Sequence, residues 1–145
     1  MQIELTCNPT DDEAETLSRA IREFNAEAIR DLEPVEAEKR FHVLTKSESG
    51  DVLGGIRATC FWNTLHIELL WLSEELRGGG VGRQLVETAE DFARKHGCEN
   101  SFVETTSWQA RPFYEKNGYR HIATLNGRPR GHASHYLTKT LFKRA

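Results

Sequence analysis

Hydrophobic residues recur along this chain at two different spacings, and the spacing predicts the order of its elements. Two segments carry apolar residues three and four positions apart, as one face of a helix requires. Thr10 or Asp11 caps the first helix and Glu33-Pro34 ends it, whereas the second helix covers residues 82–96 and stops at Gly97. The apolar positions are Leu17, Ala20, Ile21, Phe24, Ala28 and Ile29 in the first helix, and Val81, Leu85, Val86, Ala89, Phe92 and Ala93 in the second.

Segments rich in β-branched and aromatic residues, separated by polar turns, predict six to seven strands. A short third helix, at residues 109–117, lies between two of them, so that the predicted order is β-α-β-β-β-α-β-α-β-β. The fourth and fifth strands are joined through a helix and are therefore expected to run parallel. The strands are expected at residues 3–5, 41–45, 52–61, 64–73, 101–106, 119–125 and 135–141.

A glycine cluster stands where the fourth strand gives way to the second helix. The run from Leu69 to Leu72 is followed by Arg77 and then by glycine at positions 78, 79, 80 and 82. Glycines let a ligand approach the main chain, and the unpaired N–H groups of a helix start attract anions. The pattern therefore predicts a site for a phosphorylated cofactor, with Arg77 adding a full positive charge.

Two common phosphate-binding loops do not match this cluster. A Walker A loop requires Lys followed by Ser or Thr, but Arg83 and Gln84 follow Gly82. A dinucleotide-binding loop that starts at Gly78 requires glycine or alanine at position 83. On the loop alone, a strand-to-helix turn that binds no ligand stays an alternative.

Composition narrows the class of protein. A chain of 145 residues is long enough for one domain, over residues 1–145, with a core of its own. Apolar runs are too short to cross a membrane, and the first residues do not look like a targeting segment, so a cytoplasmic location is expected. Cys7, Cys60 and Cys98 are odd in number and widely spaced, which indicates buried apolar residues rather than disulfides or a zinc site. An exposed cysteine near the site is the alternative.

The net charge of −3 conceals a basic C-terminal part. Residues 106–145 contain eight Lys and Arg side chains against one acid, Glu115. A solvated basic face explains this bias better than an attraction for a polyanionic cofactor or an acidic substrate, which stays the alternative. No nucleic-acid-binding motif accompanies the basic residues. No nucleic acid and no membrane are therefore expected as partners.

Two motifs give the chain a family resemblance. Arg77-x-x-Gly80-x-Gly82 is similar to the acyl-CoA loop of the GNAT N-acetyltransferase superfamily, and the segment from Ala110 to Tyr119, with Phe113-Tyr114 at its centre, is similar to a second motif of that superfamily. The predicted order of elements resembles the GNAT fold over essentially the whole chain. The resemblance implies an α/β (α+β) fold with a mixed, mostly antiparallel sheet, helices on both faces and a splay between the fourth and fifth strands.

The resemblance also implies a reaction, the transfer of an acetyl group from acetyl-CoA directly to a primary amine of a small molecule, without a metal. Acetylation of a protein or peptide, and acyl-CoA binding without turnover, are the alternatives. Relatives of this kind suggest a homodimer. The residues that the resemblance places around acetyl-CoA are Leu70, Trp71, Leu72, Arg77, Gly78, Gly79, Gly80, Val81, Gly82, Arg83, Ser107, Gln109 and Phe113.

Each chemical task of acetyl transfer has a candidate group. By resemblance, Tyr114 is the general acid for the leaving thiolate, and a main-chain N–H near Leu70 or Trp71 faces the thioester oxygen. Strand alternation puts His66, Glu68 and Leu70 on one face, so that either His66 or Glu68, or a water, is the base. The expected substrate-binding residues are Asn25, Glu104 and His132.

Overall fold

The computed structural model describes residues 1–142, which fall into two compact units, Met1–Ala37 and the described residues from Glu38 onward. The first unit contains helix α1 (Asp11–Ala28) and a single turn of 3-10 helix at Val35–Ala37. Thr10 caps α1 in a capping box: its hydroxyl accepts from the Glu13 amide at 3.1 Å, and the Glu13 carboxylate accepts from the Thr10 amide at 2.8 Å.

Three predictions for the first unit are wrong. Residues 3–5 form no strand, because a two-residue alternation of apolar side chains does not by itself supply the paired backbone that a strand requires. The helix ends at Ala28, where Ile29 turns to extended dihedral angles, five residues before Glu33. Cys7 is exposed rather than buried, while Cys60 and Cys98 are buried as predicted.

The second unit is built on one six-stranded sheet in the order β1-β2-β3-β4-β6-β5. The neighbours β3 and β4 run parallel, as predicted, and the other neighbouring pairs are antiparallel. Each strand and helix lies within a few residues of its predicted position. They are β1 (Lys39–Lys46), β2 (Val52–Phe61), β3 (Thr64–Leu72), α2 (Val81–Lys95), β4 (Asn100–Thr106), α3 (Arg111–Lys116), β5 (Arg120–Asn126) and β6 (Ala133–Thr140).

Helix α2 packs across β1, β2 and β3 and closes the main hydrophobic core. Its inward face carries small and branched residues, and the facing strands contribute branched side chains of similar size. Leu65, Val86, Ala89 and Leu137 are completely inaccessible to solvent. Burying a branched aliphatic side chain contributes roughly 1.5–3 kcal/mol, so this layer holds α2 firmly against the sheet.

The sheet opens between β3 and β4. These strands pair only from Thr64 to Ile67 on β3 and from Asn100 to Val103 on β4. Beyond those residues, β3 continues to Leu72 beside β2 alone, and β4 continues to Thr106 beside β6. The opening confirms the predicted splay between the fourth and fifth strands, which are β3 and β4 here.

Candidate active site

A β-bulge lies at the point where the sheet opens. Arg57 on β2 pairs with Leu69, and the next residue, Ala58, pairs with Ile67, so that Glu68 is the extra residue on β3. The bulge inverts the alternation of side chains along β3. Leu70 therefore faces the core beside Ile56, and the prediction that it shares a face with His66 and Glu68 is wrong.

A cleft of about 1420 Å³ occupies the opening and extends to the glycine loop. One wall is β3 beyond the bulge, and the other is formed by β4 and α3. The cleft brings together most of the predicted cofactor residues with two of the acidic candidates. Its lining includes Glu68, Leu70, Trp71, Leu72, Arg77, Gly78, Gly80, Gly82, Arg83, Glu104, Gln109, Phe113 and Tyr114.

The glycines of the loop serve different purposes. Gly78 and Gly80 have φ of +80° and +84°, and a Cβ on either would meet no atom within 4 Å, so the space beside them is open. Gly80 is the N-cap of α2, which begins at Val81. A Cβ on Gly82 would lie 3.1 Å from the Phe113 ring, so Gly82 lets α2 and α3 pack closely.

Arg77 lies between the strand and the loop. A short 3-10 helix, Glu74–Leu76, leads into it, and its Nε donates to the Leu72 carbonyl at 3.3 Å. This bond uses one of five donors, and the rest of the guanidinium is available to a ligand in the cleft. The site therefore combines a full positive charge with the free N–H groups at the start of α2.

Tyr114 is the buried tyrosine of the cleft wall. It lies on α3, is 4% exposed, and packs edge-to-face against Phe113 at 5.2 Å and Tyr119 at 5.5 Å between ring centroids. Burial raises the pKa of the Tyr114 phenol to about 12. The phenol consequently keeps its proton over the whole range in which enzymes work, so it is able to donate a hydrogen bond.

Glu68 is held in place by two neighbours on β2. Thr59 Oγ1 donates to Glu68 Oε1 at 2.5 Å, and Arg57 Nε donates to Oε2 at 2.9 Å. The hydrogen bond from Thr59 holds the pKa of the Glu68 carboxyl below its usual value, aided by Arg57 and opposed by partial burial. Glu68 is therefore a fixed carboxylate at neutral pH.

His66 lies outside the cleft, in a smaller groove of about 350 Å³ that Glu68 also lines. The groove is on the face of the sheet opposite α2, since His66 pairs with Thr59 and both point away from the core. The His66 ring is 5.1 Å from Phe102. Glu68 thus lines both the cleft and the groove, whereas His66 lines the groove alone.

Glu104 is the acidic candidate on the other side of the opening. Arg128 Nη1 forms an ion pair with its carboxylate, and the Tyr136 hydroxyl lies 3.5 Å from the same oxygen. The hydrogen bond that Arg128 donates to Glu104, together with the negative charge of Glu104, raises the pKa of the Arg128 guanidinium. Glu68 and Glu104 together place negative charge on both sides of the opening, although each is paired with an arginine.

Some predicted site residues do not line the cleft. Ser107 is bonded to the backbone of Ala133, which donates to its hydroxyl at 2.7 Å. His132 packs edge-on against Trp108, a cleft residue that the sequence analysis did not single out. Gly79 and Val81 belong to the loop without lining the cleft, and Asn25 lies on α1 in the first unit, so its role stays a prediction.

Arg57, Thr59 and Arg128 are functional candidates that sequence reasoning missed. The alternation of β2 places Arg57 and Thr59 on the polar face, but only the register with β3 shows that both reach Glu68. Within residues 1–142, no group of three His, Cys, Asp or Glu side chains is arranged to hold a metal ion. Over the same residues, no helix has the length and hydrophobicity that a membrane crossing requires.

Comparison with known proteins places this geometry in a family. The profile of the Acetyltransferase (GNAT) family matches residues 3–119. The chain belongs to the GNAT family. It is therefore an acetyltransferase, and acetyl-CoA is the acetyl donor that this family uses.

Relatives and solved structures agree with this assignment. The blasticidin-S acetyltransferase of Streptomyces morookaense is 36% identical over 125 residues, which cover 86% of this chain and 90% of that protein. An acetyltransferase structure from Bacillus cereus has a TM-score of 0.83 and 30% identity, covering 94% of this chain and 97% of that one. An aminoglycoside 6′-N-acetyltransferase complexed with coenzyme A shares the fold at a TM-score of 0.65 and 17% identity, covering 100% and 99% of the two chains.

Proposed function

We propose that this GNAT acetyltransferase moves an acetyl group from acetyl-CoA directly to a primary amine of a small molecule. One observation carries the proposal: a single cleft joins the glycine loop to the opening of the sheet, and Tyr114 and Glu68 both line it. The cofactor loop, a protonated donor and a carboxylate thus lie along one continuous space. That is the arrangement a direct transfer between two bound substrates needs.

The two ends of acetyl-CoA have distinct partners in this proposal. The pyrophosphate lies against Gly78, Gly80 and the start of α2, where the space beside the backbone is open and Arg77 adds charge. The pantetheine arm runs along β3 beyond Ile67, where the strand pairs with β2 on one side only. The backbone on its other side is free to bond the amides of the arm.

Tyr114 stabilises the leaving thiolate. When the amine nitrogen attacks the thioester carbon, the C–S bond breaks and sulfur leaves with the electron pair. A thiol has a pKa near ~8.5, so full transfer from a phenol with a pKa of about 12 is uphill by roughly 5 kcal/mol. Tyr114 therefore keeps its proton and donates a hydrogen bond to the developing thiolate, which leaves as part of coenzyme A and takes its proton from water.

Glu68 orients the amine. An alkylammonium has a pKa near ~10, so a carboxylate whose pKa is lowered is too weak a base to hold its proton for long. The fixed negative charge instead attracts the ammonium into the opening. The proton that the amine loses leaves through the groove that Glu68 shares with His66, to water or to the imidazole.

The relatives favour a small acceptor over a protein. Blasticidin-S acetyltransferase, by its name, acts on an antibiotic and is similar over most of this chain. An antibiotic or a related small amine is therefore the first acceptor to test. The homodimer and the cytoplasmic location stay predictions.

The test combines a panel of amines with detection of free thiol. Purified protein and acetyl-CoA are incubated with blasticidin S, aminoglycosides, polyamines, amino acids and lysine-containing peptides, and acetylation is checked by mass. We expect thiol release and a gain of one acetyl group with a small amine. Turnover with peptides alone would favour the protein-modifying alternative, and acetyl-CoA binding without any turnover would favour a non-catalytic binder.

The Tyr114→Phe variant tests the role of the phenol. A hydrogen bond to a charged group contributes about 1.5–3 kcal/mol, so kcat should fall roughly 10- to 150-fold. Acetyl-CoA affinity, measured by calorimetry, should stay within about twofold, since only the transition state carries the charge on sulfur. If Tyr114→Phe keeps the wild-type kcat, the phenol has no role in the chemical step.

A further inference from the structure

A partly buried charged pair lines the cleft, and the proposed mechanism does not use it. Glu90 lies on the inward face of α2 and is 2% exposed, and Lys139 lies on the facing strand β6. Lys139 Nζ donates to Glu90 Oε1 at 3.0 Å. Both side chains line the inner part of the cleft. A buried pair of this kind adds little net stability over an apolar pair, so its position is the informative feature.

The pair is connected to the end of α3. Lys139 Nζ also donates to the carbonyl of Asn117, the C-cap of that helix, at 2.9 Å. The stem of the lysine passes Gly118, where a Cβ would lie 3.3 Å from Lys139 Cε. The ammonium thus joins α2, β6 and the C-terminus of the helix that carries Tyr114.

A second contact comes from Tyr119. Its hydroxyl donates to Glu90 Oε2 at 2.9 Å and lies 2.7 Å from Ser101 Oγ, and its amide donates to the Tyr114 carbonyl at 3.0 Å. Its ring packs edge-to-face against the Tyr114 ring. Both oxygens of Glu90 therefore hold groups that contact α3 or Tyr114.

Helix α3 depends on such contacts for its position. It contains six residues, Arg111–Lys116, which is too few to be stable by helix formation alone. Tyr114 needs accurate placement, because a hydrogen bond to the leaving sulfur weakens steeply with distance and angle.

We propose that Lys139, together with Glu90, is a positioning residue that fixes the Tyr114 hydroxyl for acetyl transfer. The inference rests on the function proposed above. Lys139 holds the C-terminal end of α3 through the Asn117 carbonyl, and Glu90 holds Lys139 and Tyr119. The pair carries no net charge, so it fixes geometry in the cleft wall without attracting or repelling the anionic cofactor.

The first experiment separates positioning from stability. The Lys139→Met variant removes the cationic partner of the buried Glu90 carboxylate, so its urea midpoint should fall along with kcat. The double variant Glu90→Gln with Lys139→Met removes both charges but not the volume, and its urea midpoint should recover. Its kcat should stay about tenfold below wild type, with acetyl-CoA affinity within about twofold, because the bond to Asn117 is still missing.

A double variant that recovers kcat together with its stability would overturn the proposal, since the pair would then be only structural. Lys95→Met is the matched control. Lys95 is an exposed residue at the end of α2, and its replacement should change neither the urea midpoint nor kcat.

The second experiment asks whether Lys139 acts through Tyr114. The loss of kcat caused by Lys139→Met should shrink from about tenfold to less than about twofold in a Tyr114→Phe background, because residues that act together are not additive. A full tenfold loss in that background would overturn the proposal. If Tyr114→Phe alone keeps wild-type kcat, the proposed role of Tyr114 fails, and the positioning role fails with it. An unchanged kcat in Tyr114→Phe thus marks failure of the proposed Tyr114 role, and a full tenfold loss in the Tyr114→Phe background marks failure of the positioning role alone.

Discussion

The hydrogen bond from Thr59 to Glu68 supports a quantitative prediction. Replacing Thr59 by Val removes the hydroxyl and keeps the branched shape, so the Glu68 carboxylate loses its donor at 2.5 Å and keeps Arg57 at 2.9 Å. A hydrogen bond to a charged group contributes about 1.5–3 kcal/mol. The Glu68 side chain is 20% exposed, so we take the lower end, which is roughly a tenfold change in its proton dissociation constant.

The sign of the change follows from the native pKa. Glu68 has its folded-state pKa below 4.5, the ordinary value for a glutamate carboxyl, so it stabilises the fold fully above that pH and progressively less as the pH falls through the lowered pKa. In Thr59→Val the pKa should rise towards 4.5. The variant should therefore be about 1.5 kcal/mol less stable than wild type at pH 7, and the difference should shrink below pH 4.5.

Two measurements check this reasoning. Carbon-13 NMR titration of the Glu68 carboxyl reports its pKa directly, and urea unfolding between pH 3 and pH 7 reports the linkage. Thr64→Val is the control, because the Thr64 hydroxyl donates to the Trp62 carbonyl instead. An unchanged Glu68 pKa in Thr59→Val would refute the reasoning. At pH 7, kcat/KM should change less than about threefold, since the carboxylate is ionised in both proteins.

Other predictions follow from the loop and the core. Gly80→Ala should weaken acetyl-CoA binding about 5- to 30-fold in calorimetry, because φ of +84° costs an alanine roughly 1–2 kcal/mol. The control is Gly97→Ala, which has a similar φ of +81° and should destabilise α2 but leave the acetyl-CoA affinity unchanged. Arg77→Gln should weaken binding and flatten its dependence on salt, and equal salt slopes would contradict a contact with phosphate. Leu65→Ala should cost about 2–5 kcal/mol in urea unfolding, because that side chain is fully buried; a smaller loss would show that the core refills the cavity.

Local pattern was sufficient for most of the second unit. The strand predicted at residues 52–61 is β2, Val52–Phe61, because polar turns limit it at both ends. At the second turn, Trp62 and Asn63 adopt φ of 48° and 49°, as a tight hairpin requires. The parallel pairing of β3 with β4 was predictable because a helix joins them and handedness restricts such connections.

Local pattern was not sufficient where a feature depends on pairing. Ile3 and Leu5 alternate like a strand, but alternation says nothing about which backbone will pair with them. The bulge at Glu68 exists only in the register of β3 against β2, and it separates Leu70 from the face that His66 occupies. A simple period of two along β3 therefore placed Glu68 correctly with His66 but placed Leu70 on the wrong face.

The amino-acid sequence by itself determined the order of elements in the second unit, the glycine loop before α2 and the motif around Tyr114, because each of these depends on residues that are neighbours in the chain. Tertiary structure decided which side chains act together. Glu90 and Lys139 are 49 positions apart and meet only because β6 lies next to β4 in the sheet, which brings Lys139 within reach of α2. Thr59 and Arg57 lower the pKa of the Glu68 carboxyl only because the register of two strands brings them to it. Such contacts depend on the packing of the whole sheet, which no local pattern encodes.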